Sequence, residues 1–215
     1  MDRLVPLLWL WLLFFSVNTA WALSQAAVAS LLGARPVSVD LGMGPILLSN
    51  RLGGVVWNLR PFAIGSAVGF TEEPEDAPKR DRLKHLSTPL YAAVILLPWA
   101  VPVALAMATL GVDEALHQLV HGFTVPFEFS ALPGRVERFF VLLEHGELLR
   151  AWGLLNAKMA ALNLLPLSFF AGGQLLRLPW RNREPRWLGT LHLLSFLVGA
   201  GWGLYVIYVV LTVVF

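Results

Sequence analysis

The chain reads as an all-α integral membrane protein of about four transmembrane helices, with a small β-hairpin or ribbon inserted after the first. Three observations predict this. Hydrophobic residues make up 57% of the 215 positions and charged residues only 14%, an apolar excess that a soluble domain of this length could not cover. Four segments are long and apolar enough to reach the roughly 20 residues that cross about 30 Å of hydrocarbon. The Lys and Arg residues gather on alternate connections between those segments. The whole chain is therefore expected to form one membrane domain, residues 1–215.

The first segment, about 5–32, opens Val-Pro-Leu-Leu-Trp and carries no charge. Ala20-Trp21-Ala22 resembles a signal-peptidase site. Only Arg3 precedes the apolar run, however, and apolar character continues to Leu32, so a retained helix is expected. Residues 33–88 are a ribbon and a charged linker. Val37-Ser-Val39 alternates, Gly42-Met-Gly44-Pro45 interrupts, and Asn50-Arg-Leu-Gly-Gly54 is turn chemistry before Val55-Val-Trp57-Asn-Leu59, which predicts two or three short strands joined by a hairpin. Residues 71–88 turn from acidic to basic, and the basic half is placed to anchor the next helix at anionic headgroups.

The second apolar segment, about 89–111, lies between Pro89 and Gly111. Loop 112–150 is expected to hold two short helices, with residues 125–134 irregular and an amphipathic stretch from Arg135 presenting Phe139, Phe140, Leu142 and Leu143. The third segment, about 151–176, is interrupted only by Lys158 and small polar groups. Pro166 and the paired Gly172 and Gly173 should break its helix locally. The fourth, about 188–215, contains a small-residue stripe, Ser195, Gly199 and Gly203, that permits close helix approach.

Loops 33–88 and 177–187 carry eleven Lys and Arg; the other side carries four, Arg3, Arg135, Arg138 and Arg150. The positive-inside rule then makes the first two loops cytoplasmic and both termini and loop 112–150 extracytoplasmic, as expected in a bacterial inner (plasma) membrane. The net charge of +2 gives no footprint for nucleic acid. The absence of cysteine excludes thiolate metal sites and disulfides.

Residues 162–176 contain Asn163, Pro166, Gly172 and Gly173 in a frame that resembles the third-helix signature of the site-2 protease family, roughly Asn-x-x-Pro-x-x-x-x-Asp-Gly-Gly. These are intramembrane zinc metalloproteases, and the Asp of the signature is a zinc ligand. Ala171 stands in its place here. The stretch from Gly33 to Pro45 resembles the family's membrane-associated β-ribbon, which in active members pairs with an extended substrate; the other reading is a hairpin that plugs the cytoplasmic mouth. In the family a His-Glu-x-x-His motif lies on the first helix, shortly before an ending like Ala29-Ser-Leu-Leu-Gly33. That register puts Trp21 and Gln25 at the histidine positions and Ala22 at the general base. Residues 1–84 contain no histidine at all. Leu97-Pro98-Trp99-Ala100-Val101 lies where many members carry Gly-Pro-x-x-Asn, and Val101 is apolar. The resemblance therefore implies a pseudoprotease without catalytic residues, bound metal or cofactor.

What the resemblance leaves is a binding, scaffolding or assembly role among other integral membrane proteins in a multi-subunit complex, in contact with membrane lipid. Asn163, Pro166, Gly172, Gly173, Ser195, Gly199, Gly203 and Lys158 are the expected partner-binding residues. Lys158 is the single basic residue inside a span; it either snorkels to the interface or pairs with a carboxylate. Two other classes stay open. His117 and His121 have zinc-ligand spacing with Asp113 one turn earlier, as an atypical membrane metalloprotease would need. Against this, Gln118, directly after His117, cannot take a proton at neutral pH, and the pair reads equally as solvated or capping histidines. A small transporter would need more intramembrane charge than one lysine.

Overall fold

In the computed structural model, residues 4–70, 83–168, 170–181 and 185–215 are described, Lys84 by its backbone alone. The acidic part of the 71–88 linker and its Lys79, Arg80 and Arg82, together with Arg3 and Arg183, lie outside the described residues. The chain forms two compact units, Trp11–Pro102 and Met1–Leu10 with Val103–Phe215.

Helix α1, Leu4–Leu31, holds no acidic or basic residue in its terminal turns. With 28 residues it extends about 42 Å, enough to cross a bilayer. Four strands follow: β1 Pro36–Met43, β2 Leu48–Leu52, β3 Val55–Leu59 and β4 Phe62–Phe70. They form one sheet of order β2-β3-β1-β4, with β1 and β3 parallel and the outer pairs antiparallel. Gly53 and Gly54, at φ +60° and +84°, make the two-residue hairpin that joins β2 to β3. Two consecutive positive φ values match the twist of the flanking strands and exclude β-branched residues. Gly42 sits at an irregularity of β1 with φ +90°, where an added β-carbon would lie 2.6 Å from the Phe62 carbonyl oxygen.

The sheet is larger than the sequence indicates, which had two or three strands and an all-α frame. Strand β4 went unread because Phe-Ala-Ile-Gly-Ser-Ala-Val-Gly-Phe is rich in small residues that carry little strand signal by themselves. Its partner strand supplies the reason it forms: Val68 lies opposite Val39 and Ala67 opposite Asp40.

The sheet packs along α1. Ala22 and Ala26 form a core with Val39, surrounded by Leu41, Val55, Trp57 and Val68; the alanines are small enough to let the strands approach the helix. The Asn18 side chain, itself buried, donates to the Ala63 carbonyl at 2.9 Å and to Phe14 at 2.9 Å. Further toward the helix start, Trp11 Nε1 donates to the Pro61 carbonyl at 2.8 Å. Ala29, Ala34 and Val94 close the other end of this core, with Leu32, Phe70, Leu83 and Leu86 against it. The ribbon thus lies beside the apolar helix for much of its length instead of capping one end.

Residues 88–110 are a second candidate membrane span: α2 Thr88–Leu96, a 3-10 turn at Leu97–Trp99 containing Pro98, and α3 Ala100–Leu110. The expected pair of short helices in the next loop is present as α4 Val112–Gly122 and α5 Leu132–Glu144, and the irregular stretch between them is two 3-10 turns. On α5, Phe140 and Leu143 are buried.

The third apolar segment departs from a continuous span. It is two helices, α6 Leu148–Asn163 and α7 Ala171–Arg177. Sixteen residues extend about 24 Å, short of the hydrocarbon thickness. Along α6, Ala151, Gly153, Leu155, Asn156, Ala157, Ala160, Ala161 and Leu162 are all buried. Ala106, Ala115 and Ala157 form a core of α3, α4 and α6, and an added β-carbon on Gly153 would lie 2.7 Å from Leu110 Cγ. Small side chains set the helix spacing here. Helix α8, Arg186–Val214, is the last candidate span. It packs against α5, and Tyr205 donates to the Phe129 carbonyl at 3.0 Å. Among the described residues, three helices in all are long and apolar enough to cross a membrane, so the chain is a membrane protein by composition and helix length, with three such helices in place of the four expected.

Candidate functional site

The structure brings Asn163, Gly172 and Gly173 together around one turn. Helix α6 ends at Asn163, and Leu164 and Leu165 close its last turn by donating to Ala161 and Leu162 at 3.1 and 3.0 Å. Phe170 is extended (φ −95°, ψ 161°) and leads into α7. The Asn163 side-chain oxygen accepts the Ala171 amide at 3.0 Å, satisfying one of the donors that a helix start leaves open. The two glycines are demanded by contact. A β-carbon on Gly172 would fall inside the Leu164 carbonyl oxygen, and one on Gly173 inside the Leu167 carbonyl oxygen. Asn, Gly and Gly are therefore what this backbone path needs, each for a separate reason. Pro166 lies on the exposed outside of the turn.

Ala171, at the position of the family's zinc-binding Asp, is buried, with its amide engaged by Asn163. In the other unit, Ala22, at the position of the general base, has no exposed surface and packs against Val39. Trp21 and Gln25 are half-buried on α1, and the Trp21 carbonyl accepts from Ser24 Oγ at 2.8 Å. Val101 is half-buried, between the fully buried Pro98 and Pro102. At each of the two positions where the resemblance places a carboxylate, a methyl group is packed into a core.

The His117 and His121 rings meet on α4 with centroids 4.4 Å apart and a 60° tilt. Among the described residues, no three of His, Cys, Asp or Glu gather as a metal-ligand set, so the structure does not join Asp113 to the pair as a third ligand. Lys158 is half-buried in the field of Arg135, Glu114 and Glu128. Both carboxylates are engaged elsewhere: Glu114 accepts from Gln118 at 2.7 Å, and Glu128 pairs with Arg135. Among the described residues Lys158 has no ion pair, and the structure does not bring it to the Asn163 turn.

The small-residue stripe of α8 divides. Ser195 is buried and lines a cavity together with Pro166, Ser168 and Gly173. Gly199 is half-buried, and an added β-carbon on Gly203 would meet nothing within 4 Å. Ser195 thus belongs to the frame around the broken helix, while Gly203 borders open space.

Sequence reasoning missed Asn156. It is fully buried on α6 and donates to the Trp152 carbonyl at 2.9 Å, but its side-chain oxygen has no partner among the described residues. An unsatisfied buried acceptor costs on the order of 1–3 kcal/mol. Asn156→Leu, close in size and apolar, is therefore expected to stabilise the protein by about 1 kcal/mol, raising the thermal midpoint by roughly 2–4 °C in detergent. A fall in the midpoint would show that this oxygen is satisfied in the membrane. No protein-family profile matches the chain, and no curated protein matches it as a relative.

Proposed function

We propose that this chain is a catalytically inactive, site-2-protease-like membrane protein that acts as a scaffold, assembly or regulatory subunit for other integral membrane proteins. One observation carries the reading. The Asn163–Gly173 turn is built in every detail, with a side-chain cap and two sterically required glycines, while the positions of the family's carboxylates are alanines packed into cores. A frame retained without its reactive groups is suited to holding a protein segment. We place the chain in a bacterial inner membrane, with α6, the turn and α7 crossing as a discontinuous fourth span. Irregular backbone is tolerated at that depth where protein or a polar cavity covers it. Loop 177–187 and the two ends of the 33–88 connection face the cytoplasm on the strength of the basic-residue bias, with the ribbon between those ends lying along α1.

The test is purification in mild detergent, with metal analysis and identification of co-purifying subunits. The expected result is no stoichiometric zinc and at least one co-purifying membrane protein that is lost from Gly199→Leu/Gly203→Leu while the variant stays folded. An added β-carbon on Gly203 meets nothing within 4 Å, so with the variant folded the loss would report on an intermolecular contact. Stoichiometric zinc removed by His117→Ala would instead place a metal at the His117–His121 pair and favour the metalloprotease alternative. Zinc lost on mutating α1 or α7 would overturn the pseudoprotease reading.

Orientation is tested separately by single cysteines at Ser130 and Arg35, both exposed, in a chain that has no native cysteine. An impermeant maleimide applied to intact cells should label position 130 and spare position 35. The reverse pattern inverts the topology.

A further inference from the structure

The cavity beside the broken helix, about 230 Å³ in volume, is lined by Pro166, Ser168, Gly173, Leu176, Arg177, Trp180, Trp187, Leu188, Leu191, His192 and Ser195. Its walls are mainly apolar, and Arg177 is the one charged side chain in common ownership of α7's last turn and the lining. Trp180 and Trp187 meet edge to face at its rim, with centroids 5.3 Å apart, and Ser168 Oγ donates to the His192 carbonyl across it at 3.4 Å. Among the described residues no acidic side chain lines it. In the sequence, residues 177–187 hold four arginines against one glutamate, and residues 187–215 carry no Asp, Glu, Lys or Arg.

We infer that this cavity binds an anionic phospholipid, with the phosphate at Arg177 and one acyl chain running down α8. Three features point to that occupant. A guanidinium takes a phosphate through paired charge-assisted hydrogen bonds, and basic pockets at helix ends are where anionic headgroups are held. Tryptophans of this kind sit at the headgroup level, with an apolar body and a polar edge. The third feature is the path out. Trp187, Leu191, Leu194 and Val198 are spaced along one face of α8 and are 49–63% exposed. The rise from Trp187 to Val198 is about 16 Å, which matches the roughly 15 Å depth of one leaflet's hydrocarbon. The cavity is smaller than the about 300–1,000 Å³ of a site that encloses a whole ligand. It therefore takes the phosphate and glycerol end and leaves the chain on that stripe.

The experiment uses the full chain in phosphatidylcholine vesicles, titrated with phosphatidylglycerol or phosphatidylcholine brominated near the glycerol end. Bromine quenches nearby indoles, and subtracting the Trp180→Phe/Trp187→Phe protein isolates the two rim residues. Their quenching should half-saturate at a several-fold lower mole fraction of the anionic lipid than of the neutral one. Arg177→Gln should bring the two curves together, and Ser195→Met, which fills the cavity and leaves the charge, should do the same. Identical curves in the wild type mean ordinary annular lipid and overturn the site. A preference that survives both substitutions does so too. Loss of the preference on adding millimolar inorganic phosphate would assign the cavity to a soluble anion and sink the lipid reading.

Discussion

Gly172→Ala and Gly173→Ala should each cost about 3 kcal/mol or more, above the usual range for overpacking because the obstruction is backbone. A β-carbon at either position falls within a main-chain carbonyl, of Leu164 or of Leu167, and a main chain closed by the Leu164–Ala161 and Phe170–Leu167 hydrogen bonds cannot rotate aside as a side chain could. The expected result is a thermal midpoint lowered by roughly 6–12 °C, or loss of monodisperse protein. Gly201→Ala is the matched control, since nothing lies within 4 Å of its added carbon, and it should leave the midpoint unchanged or slightly raised. If Gly172→Ala and Gly173→Ala behave like the control, the turn is looser than described and no longer qualifies as a retained frame.

Asp40→Ala is expected to cost about 2 kcal/mol, the loss of a hydrogen-bonded ion pair discounted for partial solvent access. Asp40 Oδ1 accepts from Asn58 Nδ2 at 3.0 Å and from Arg60 Nε at 2.9 Å, and Arg60 Nη2 lies at 2.8 Å. Asn58 in turn accepts from Ser49 at 2.8 Å, and Arg60 also donates to the Gly44 carbonyl. Ser49, Asn58 and Asp40 are register partners across β2, β3 and β1. The network therefore pins three strands and the β1–β2 connection, and removing its acceptor takes from Arg60 Nε and Asn58 Nδ2 the partner they share. Asp40→Asn keeps an acceptor oxygen and should lose about half as much stability. Thermal unfolding of the three proteins in one detergent ranks them; equal midpoints for wild type and Asp40→Ala would show that the row does not hold the sheet.

Much of the helical framework was legible in the sequence, because length and continuity of apolar residues decide a membrane span almost alone. Leu4–Leu31, 88–110 and Arg186–Val214 fall within two residues of the expected segments. The break at Pro166 and the glycine pair was legible too, since proline and glycine act on the backbone locally. Its consequence for α6 was not. Its buried alanines, at positions 151, 157, 160 and 161, carry no more apolar signal than a lipid-facing run, so a central packed helix and a span look alike in composition. Strand β4 and the path of the ribbon along α1 were also hidden. They depend on pairings such as Asn18 with Ala63, 45 residues apart, which no local pattern encodes. Among the residues expected to bind a partner, Asn163, Gly172 and Gly173 share one turn. Lys158 did not join them, and the stripe of Ser195, Gly199 and Gly203 split between a cavity wall and open space.

The ribbon's attachment to α1 has a consequence for how the protein is made. Trp11 holds Pro61 and Asn18 holds Ala63, while Ala34 lies just past the other end of the helix. From Trp11 to Leu31 the helix rises about 30 Å, so the β3–β4 corner must travel back along almost the whole thickness that α1 crosses. It cannot do so before α1 is in place, because the carbonyl acceptors have no donor to meet and an unpaired strand has no stable place in hydrocarbon. The expected order of assembly is α1 first and the strands onto it afterwards, since the bonds that hold the ribbon to the helix close loops of 45 to 50 residues. Chains halted before residue 70 should carry an inserted helix with an unformed sheet, and it is at this stage that the biosynthetic machinery has most to shield.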